Sequence, residues 1–134
     1  MPNRNEHILI GAAGGALFGL AQYVFDQQQG LASQPEPWSK DDLIGTIGAL
    51  GLGALAGAIA AQLPDLIDPP DSPNHRSIGH GIAGTSILAS QLNGFMGTLT
   101  DPSSRILVRG FQVGYISHVA ADATTSQRTQ RSAD

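Results

Sequence analysis

The sequence predicts an all-α protein, an integral-membrane antiparallel four-helix bundle. Four long stretches carry almost no charged side chain: 7–25, 43–64, 77–100 and 106–121, the last interrupted only by Arg109. About 20 mostly apolar residues are enough for a helix to cross a bilayer. The polar segments between the stretches are short, so consecutive helices are expected to run in opposite directions.

Length and composition limit the possible classes of protein. With 134 residues, the chain is long enough for one domain, 1–134. It has no cysteine, which excludes disulfides and thiolate metal sites. Its net charge of −4 and its lack of a basic patch argue against a nucleic-acid partner. A soluble helical bundle is the alternative that composition leaves open.

The apolar stretches and the breaks between them set the expected helix bounds. We expect helices over about 7–25, 42–63, 80–98 and 104–122, followed by a polar, frayed tail over 126–134. Four prolines between Leu63 and Gly79 predict a stiff non-helical connection there. Ser103 or Ser104 is the expected N-cap of the last helix.

Each predicted helix carries small residues at a spacing of four, which places them on one helix face. Such a face lets helix backbones approach closely inside a membrane. Abundant glycine and alanine would supply some of these pairs by chance, but every stripe also leads to a histidine or an aspartate. The stripes are His7, Gly11, Gly15, Gly19; Gly45, Ala49, Gly53, Gly57, Ala61, Asp65; His80, Gly84; and Gly110, Gly114, His118, Asp122.

An antiparallel bundle brings alternate helix ends to one side, and those ends hold all four histidines with several carboxylates. Imidazole and carboxylate ligands without thiolate favour zinc, with manganese or iron as alternatives. We therefore predict a metal site at one end of the bundle, with one or two ions. Its candidate ligands are His7, Asp65, Asp68, His75, His80, His118 and Asp122.

Single members of this set also have simpler interpretations. His118 and Asp122 are four residues apart on one helix, which suits two ligands of one metal but equally a buried hydrogen-bonded pair. His7 alone would more often be a packing residue. Arg76, beside His75, could pair with a phosphate or extend to lipid headgroups.

The segments LPDLIDPPDSPNHRSIGHG and GYISHVAADATT resemble the YdjM-like family of predicted inner-membrane metal-dependent hydrolases. Members have a Leu-Pro-Asp motif near a second Asp, His-Arg with another His five residues after the first, and Gly-Tyr-x-Ser-His-x-x-x-Asp. An early histidine often opens their first helix. This chain has one extra residue between Asp65 and Asp68, so either carboxylate could be the ligand.

The resemblance implies a membrane-bound metal-dependent hydrolase of a phospholipid or another phosphoester, with Asp65, Asp68 and Arg76 in catalytic roles. A looser similarity to zinc-dependent phospholipase C also favours a phosphoester. The alternative is a non-enzymatic membrane module locked by its metal, acting as a partner or as an oligomer subunit through its glycine faces. The distribution of Lys and Arg predicts that both termini and the site lie in the cytoplasm, and the resemblance implies the inner membrane of a bacterium.

Overall fold

A computed structural model describes residues 4–32, 34–37, 39–67 and 81–131, with side chains as far as residue 124. Every element in these residues is a helix, which confirms the predicted all-α class. Four long helices lie close to the predicted ranges, and a one-turn helix is added after the second. They are α1 (Arg4–Gln28), α2 (Lys40–Ala60), α3 (Leu63–Ile67), α4 (Ile82–Met96) and α5 (Pro102–Arg131).

The ends of the long helices differ from the predicted bounds by two or three residues, except for the end of α5, which lies nine residues later. α2 ends at Ala60, because Pro64 has no N–H to donate to the Ala60 carbonyl, and the short α3 follows. α5 begins at Pro102, and its N-cap is Asp101 rather than Ser103 or Ser104. The Asp101 carboxylate accepts the backbone N–H and the hydroxyl of Ser104, each at 2.7 Å. The backbone of α5 stays helical to residue 131, through most of the predicted tail.

The glycine stripes of α1, α2 and α5 pack directly against one another. Gly11 lies on Gly57 and Gly15 on Gly53, so the contact pairs run in opposite directions along α1 and α2. α5 joins the same contact through glycines of its own, which lie on the same two residues of α2. A Cβ at any of these positions would overlap a backbone atom of the neighbouring helix. The three helices therefore form a tightly packed core.

α4 lies outside this core. Among the described helices it contacts α5 alone. Between α4 and α2 there is an apolar groove of about 390 Å³, lined by Leu55, Ile59, Leu92, Leu107 and Phe111, with Ala56 and Val108. The arrangement of the described helices is thus three tightly packed helices and one peripheral helix, rather than four equivalent ones.

Apolar and polar side chains are distributed in the reverse of the usual pattern. The core holds small residues and buried polar side chains, among them His118 and Asp26, both fully buried. Large apolar side chains face outward, including Leu17 at 66% exposure and Leu55 at 57%. Water-soluble proteins rarely expose so many large apolar residues on one surface.

Two helical segments of the described chain are long and apolar enough to cross a membrane: Arg4–Gln28, and Lys40–Ile67, which joins α2 and α3. α4 is shorter than such a span requires, since its 15 residues extend about 22 Å. α5 is long enough, but Arg105, Arg109 and a polar C-terminal half lower its hydropathy.

Candidate metal site

Three buried side chains meet at one end of the core, and we call them the metal cluster: His7, His118 and Asp122. One nitrogen or oxygen atom from each lies within 4.8 Å of the other two. His7 Nε2 is 3.3 Å from Asp122 Oδ1, and His118 Nε2 is 3.3 Å from Asp122 Oδ2. The group could hold a metal ion.

The glycine stripes bring these residues together. His7 lies one turn before Gly11 on the packing face of α1, and His118 lies one turn after Gly114 on that of α5. Asp122 follows His118 by four residues, so both side chains leave α5 on the same face. Because α1 and α5 run in opposite directions, the start of one meets the late part of the other.

A hydrogen bond fixes the tautomer of His118. Its Nδ1 lies 2.6 Å from the carbonyl oxygen of Ala61 at the end of α2. A carbonyl only accepts, so Nδ1 carries the proton and donates. In the neutral ring, Nε2 then presents its lone pair to Asp122. This arrangement, with one ring nitrogen held by the backbone and the other aimed at the metal position, is usual for histidine ligands.

The distances in the cluster fit a metal better than they fit hydrogen bonds. N–H···O bonds are mostly about 2.9–3.0 Å long, whereas both nitrogen–oxygen distances here are 3.3 Å. Zinc bonds of about 2.0–2.1 Å place neighbouring tetrahedral ligands about 3.3–3.4 Å apart. Each histidine Nε2 thus lies as far from one oxygen of Asp122 as two ligands of one zinc ion lie from each other.

The second nitrogen of His7 also indicates an incomplete site. Nδ1 is buried and has no hydrogen-bond partner among the described residues. Buried polar atoms nearly always have a partner. The His7 ring also stacks on that of His118, with ring centroids 3.9 Å apart. The two imidazole rings therefore lie side by side within the cluster.

Asp65 on α3 is a fourth candidate at the edge of the cluster. Its Oδ1 is 3.5 Å from His118 Nε2, and its side chain is 39% exposed. Of these four side chains, it is the most accessible to solvent, and it lies beside two exposed apolar residues of α3, Leu66 and Ile67. The edge of the site is therefore polar on one side and apolar on the other.

Four of the seven candidate ligands can be placed. His7, His118 and Asp122 come together and Asp65 lies next to them. Asp68, His75 and His80 lie outside the described residues, as does the candidate catalytic residue Arg76. Their roles, and the choice between one ion and two, stay predictions.

The sequence analysis missed a second buried polar group, at the opposite end of α1 and α5. Asp26 is fully buried, and Arg105 Nε lies 2.9 and 3.1 Å from its two carboxylate oxygens. Gln22 donates to the same carboxylate at 2.8 Å. Arg105 Nη1 donates to the carbonyls of Met96 and Leu99 at the end of α4. This ion pair therefore connects α1, α4 and α5.

A chain of amide side chains extends the ion pair toward the middle of the helices. Arg109 donates to Gln22 at 3.2 Å and to Gln112 at 2.8 Å. Gln112 in turn donates to the side chain of Asn93 and to the carbonyl of Ala89, both at 3.2 Å. We call these residues, with Asp26 and Arg105, the far-end network. The spacing of Gln22 and Asp26 on α1, and of Arg105 and Arg109 on α5, was the available signal in the sequence.

The chain matches no protein-family model, no curated protein and no solved structure. The resemblance to YdjM-like proteins therefore rests on the quoted motifs alone. What the described residues define is a class: an all-helical protein in which two of the described helical segments are long and apolar enough to cross a membrane and a buried His/Asp cluster could hold a metal.

Proposed function

We propose that this chain is an integral-membrane, metal-dependent hydrolase of a phospholipid or another amphiphilic phosphoester, an antiparallel four-helix bundle with its metal site at one membrane face. The observation that carries the proposal is the metal cluster, in which His118 is fixed by Ala61 and faces Asp122. Zinc is the proposed ion, because nitrogen and carboxylate ligands at these spacings suit it.

The membrane part of the proposal is supported by the outward-facing apolar residues. Leu9, Leu17 and Phe18 of α1 are all more than half exposed, while the polar residues face inward. Ionisable groups inside membrane proteins are found in such interior positions. The apolar groove beside Leu55 and Leu92 would then be filled by lipid.

The position of the cluster suits an amphiphilic substrate. The cluster lies in the first turns of α1 and near residue 122 of α5, where the apolar stretches end. A phosphate at the membrane surface would reach the cluster past Asp65, and the attached apolar chain would lie on Leu66 and Ile67. The placement of the site and both termini in the cytoplasm of a bacterial cell is part of the same proposal.

The burial of each side chain suggests its proposed role: the buried ones as metal ligands and the exposed one as the general base. A zinc-class ion bound at the cluster would supply Lewis-acid activation of water and of the phosphoryl oxygen. His7 and His118 would hold it through ring nitrogens, and Asp122 would bind it or orient His118. Asp65 is the carboxylate that solvent reaches, so it is the proposed general base that holds the proton taken from water.

One observation favours the alternative of a non-enzymatic module. The cluster joins the first helix to the last, so a bound ion would act as a clamp on the whole fold. An oligomer through glycine faces could use the glycines with open space around them, Gly48, Gly51 and Gly94, because the glycines at the contacts of α1, α2 and α5 pack within the chain.

Metal content and turnover, measured together, separate the two functions. Detergent-purified protein should contain about one or two zinc-class ions per chain. His118→Ala should lose the metal, since it removes a buried ligand, whereas the neighbouring Ser117→Ala should retain it. Full metal occupancy in His118→Ala would refute the site.

Hydrolysis is then assayed on a panel of phospholipids and other lipid phosphoesters. We expect turnover by wild type and loss of turnover in His118→Ala. Asp65→Asn should retain metal and lose most activity if Asp65 acts as the base. A metal-loaded wild type that cleaves none of the panel would favour the clamp.

A further inference from the structure

We propose that Arg4 binds the phosphate of the substrate at the edge of the metal cluster, with its guanidinium held in place by Gln62. Arg4 Nη2 donates to Gln62 Oε1 at 2.8 Å, a hydrogen bond that crosses from α1 to the turn between α2 and α3. The inference rests on the proposed function, because it names the side chain that recognises the phosphoester at that site. Arg4 is not one of the metal ligands, so its role can be tested separately from metal binding.

Arg4 and Gln62 both lie within one helical turn of the metal cluster. Arg4 comes three residues before His7 on α1, and residues at that spacing are neighbours on one helix face. Gln62 directly follows Ala61, whose carbonyl is bonded to a histidine of the cluster. It also comes three residues before Asp65, the accessible carboxylate of the site. The guanidinium is therefore placed near the side of the cluster from which a phosphate would enter.

An anionic phosphate needs a cation here, because Asp65 and Asp122 bring two carboxylates to the site. A divalent ion would balance these two charges and leave no net positive charge for the substrate. Among the side chains that the structure describes, Arg4 is the one Lys or Arg at this end of the bundle. The others lie at the opposite end or toward it: Lys40, Arg105 and Arg109.

The hydrogen bond to Gln62 orients the guanidinium without neutralising its charge. The acceptor is a neutral amide, whose own Nε2 donates to the carbonyl of Ala58 at 3.3 Å. A guanidinium has five N–H donors in a planar fork, and Gln62 accepts from one of its nitrogens. The exposed Arg4 can therefore form a second, two-bonded contact, and arginine binds phosphate in this way.

Binding of inorganic phosphate to the detergent-purified protein tests the proposal without requiring turnover. Arg4→Gln should weaken phosphate binding about tenfold or more, the loss expected for hydrogen bonds between charged groups. Arg4→Lys keeps the charge but loses the fork, so its affinity should lie between those of wild type and Arg4→Gln. Lys40→Gln, which removes a positive charge at the opposite end, is the matched control and should bind as wild type does. Isothermal titration calorimetry measures the affinities, and the metal content of each variant should equal that of wild type.

Steady-state kinetics on a phospholipid that wild type cleaves extends the test to the lipid phosphate. Arg4→Gln should raise KM about tenfold and change kcat less, because the contact forms when the substrate binds. Gln62→Ala removes the acceptor that orients the guanidinium but leaves its charge. It should therefore raise KM by less than Arg4→Gln does.

Unchanged affinity for inorganic phosphate in Arg4→Gln would overturn the proposal, and with turnover retained it would leave the hydrolase standing. A higher KM for the lipid with unchanged affinity for inorganic phosphate would also overturn it, since Arg4 would then contact only the headgroups of the bilayer. Loss of metal from Arg4→Gln would contradict it by assigning Arg4 a structural role, and so would a wild type that binds no phosphate. A wild type that binds phosphate through Arg4 but cleaves no phosphoester would support the phosphate site and reject the hydrolase.

Discussion

The two ends of α1 and α5 both bury charged or ionisable side chains, but they satisfy them in different ways. At the far end, the Asp26 carboxylate accepts from Arg105 at 2.9 and 3.1 Å and from Gln22 at 2.8 Å. These are ordinary hydrogen-bond lengths. At the other end, His118 Nε2 lies between two carboxylates at 3.3 and 3.5 Å. At the first end a carboxylate meets a guanidinium and an amide, while at the second end imidazole rings meet carboxylates.

This difference separates a structural polar group from a candidate functional one. The buried Asp26 carboxylate accepts hydrogen bonds from two side chains and is paired with a charged guanidinium, which satisfies a buried carboxylate. The buried group of two imidazoles and a carboxylate consists of side chains that could hold a metal ion. Burial alone would not have distinguished them, since Asp26 and His118 are both fully buried.

The largest expected effect comes from separating the helices next to the metal cluster. Gly57→Ala would place a methyl group against the carbonyl oxygen of Gly11 and against backbone of α1 that cannot move aside. We expect α1 to be pushed from α2, with a loss of about 3 kcal/mol or more in the free energy of unfolding. Thermal or denaturant unfolding in detergent measures it.

Gly51→Ala is the matched control, on the same helix, because no atom lies within 4 Å of a Cβ there. It should leave stability unchanged or raise it by up to about 1 kcal/mol, the gain of alanine over glycine in a helix. Equal losses in the two variants would show that the close backbone contact does not hold the core together.

Removing metal should loosen the end of the bundle that holds the metal cluster and leave the end that holds Asp26 and Arg105 unchanged. If the cluster binds zinc, chelation removes a stabilisation of about 2.7 kcal/mol at a hundredfold excess of metal over Kd. We expect amide hydrogen exchange to rise around His7 and His118 and to stay constant around Asp26 and Arg105. Hydrogen exchange measured by mass spectrometry with and without chelator gives the comparison.

The control for the chelation experiment is His118→Ala, whose exchange should already resemble that of the chelated wild type and should not change on adding chelator. A wild type that shows no local change, or an equal change at both ends, would contradict a metal confined to the cluster.

The sequence predicted the residues of the metal cluster but not the far-end network at the opposite end of α1 and α5. His7, His118 and Asp122 followed from spacings of four and from alternating helix directions, which are local properties. The far-end network was missed because the glycine stripes that lead to His7 and His118 do not lead to Asp26 or Arg105. Their pairing depends on which faces of α1 and α5 meet beyond those stripes, and that is settled only by the tertiary packing.

Helix α4 illustrates the same limit. Its apolar composition and Gly84 suggested a fourth equivalent member of the bundle, yet it contacts α5 alone among the described helices. Its outward residues Ile82 and Ile87 are as apolar as those of α1, so hydropathy did not distinguish a core helix from a peripheral one. The difference lies in the backbone contacts that Gly53 and Gly57 make with α1 and α5.

The smallest effect concerns Asp101, an exposed carboxylate that the chain's own donors also satisfy. Its hydrogen bonds from the hydroxyl and the backbone N–H of Ser104 hold its pKa below the ordinary value of 3.8. A lowered pKa means that the cap stabilises α5 above pH 3.8 and loses this effect as the pH falls through the lowered pKa.

Ser104→Ala removes the hydroxyl donor but leaves the backbone N–H, so the pKa of Asp101 should rise part of the way back. An NMR titration of the Asp101 carboxyl measures this shift, with Ser103→Ala as the control that leaves the hydroxyl of Ser104 in place. An unchanged pKa in Ser104→Ala would mean that the hydroxyl contributes nothing to the cap. Side-chain donors of the chain would then satisfy the buried carboxylate of Asp26 but not the exposed carboxylate of Asp101 at the same end of the bundle.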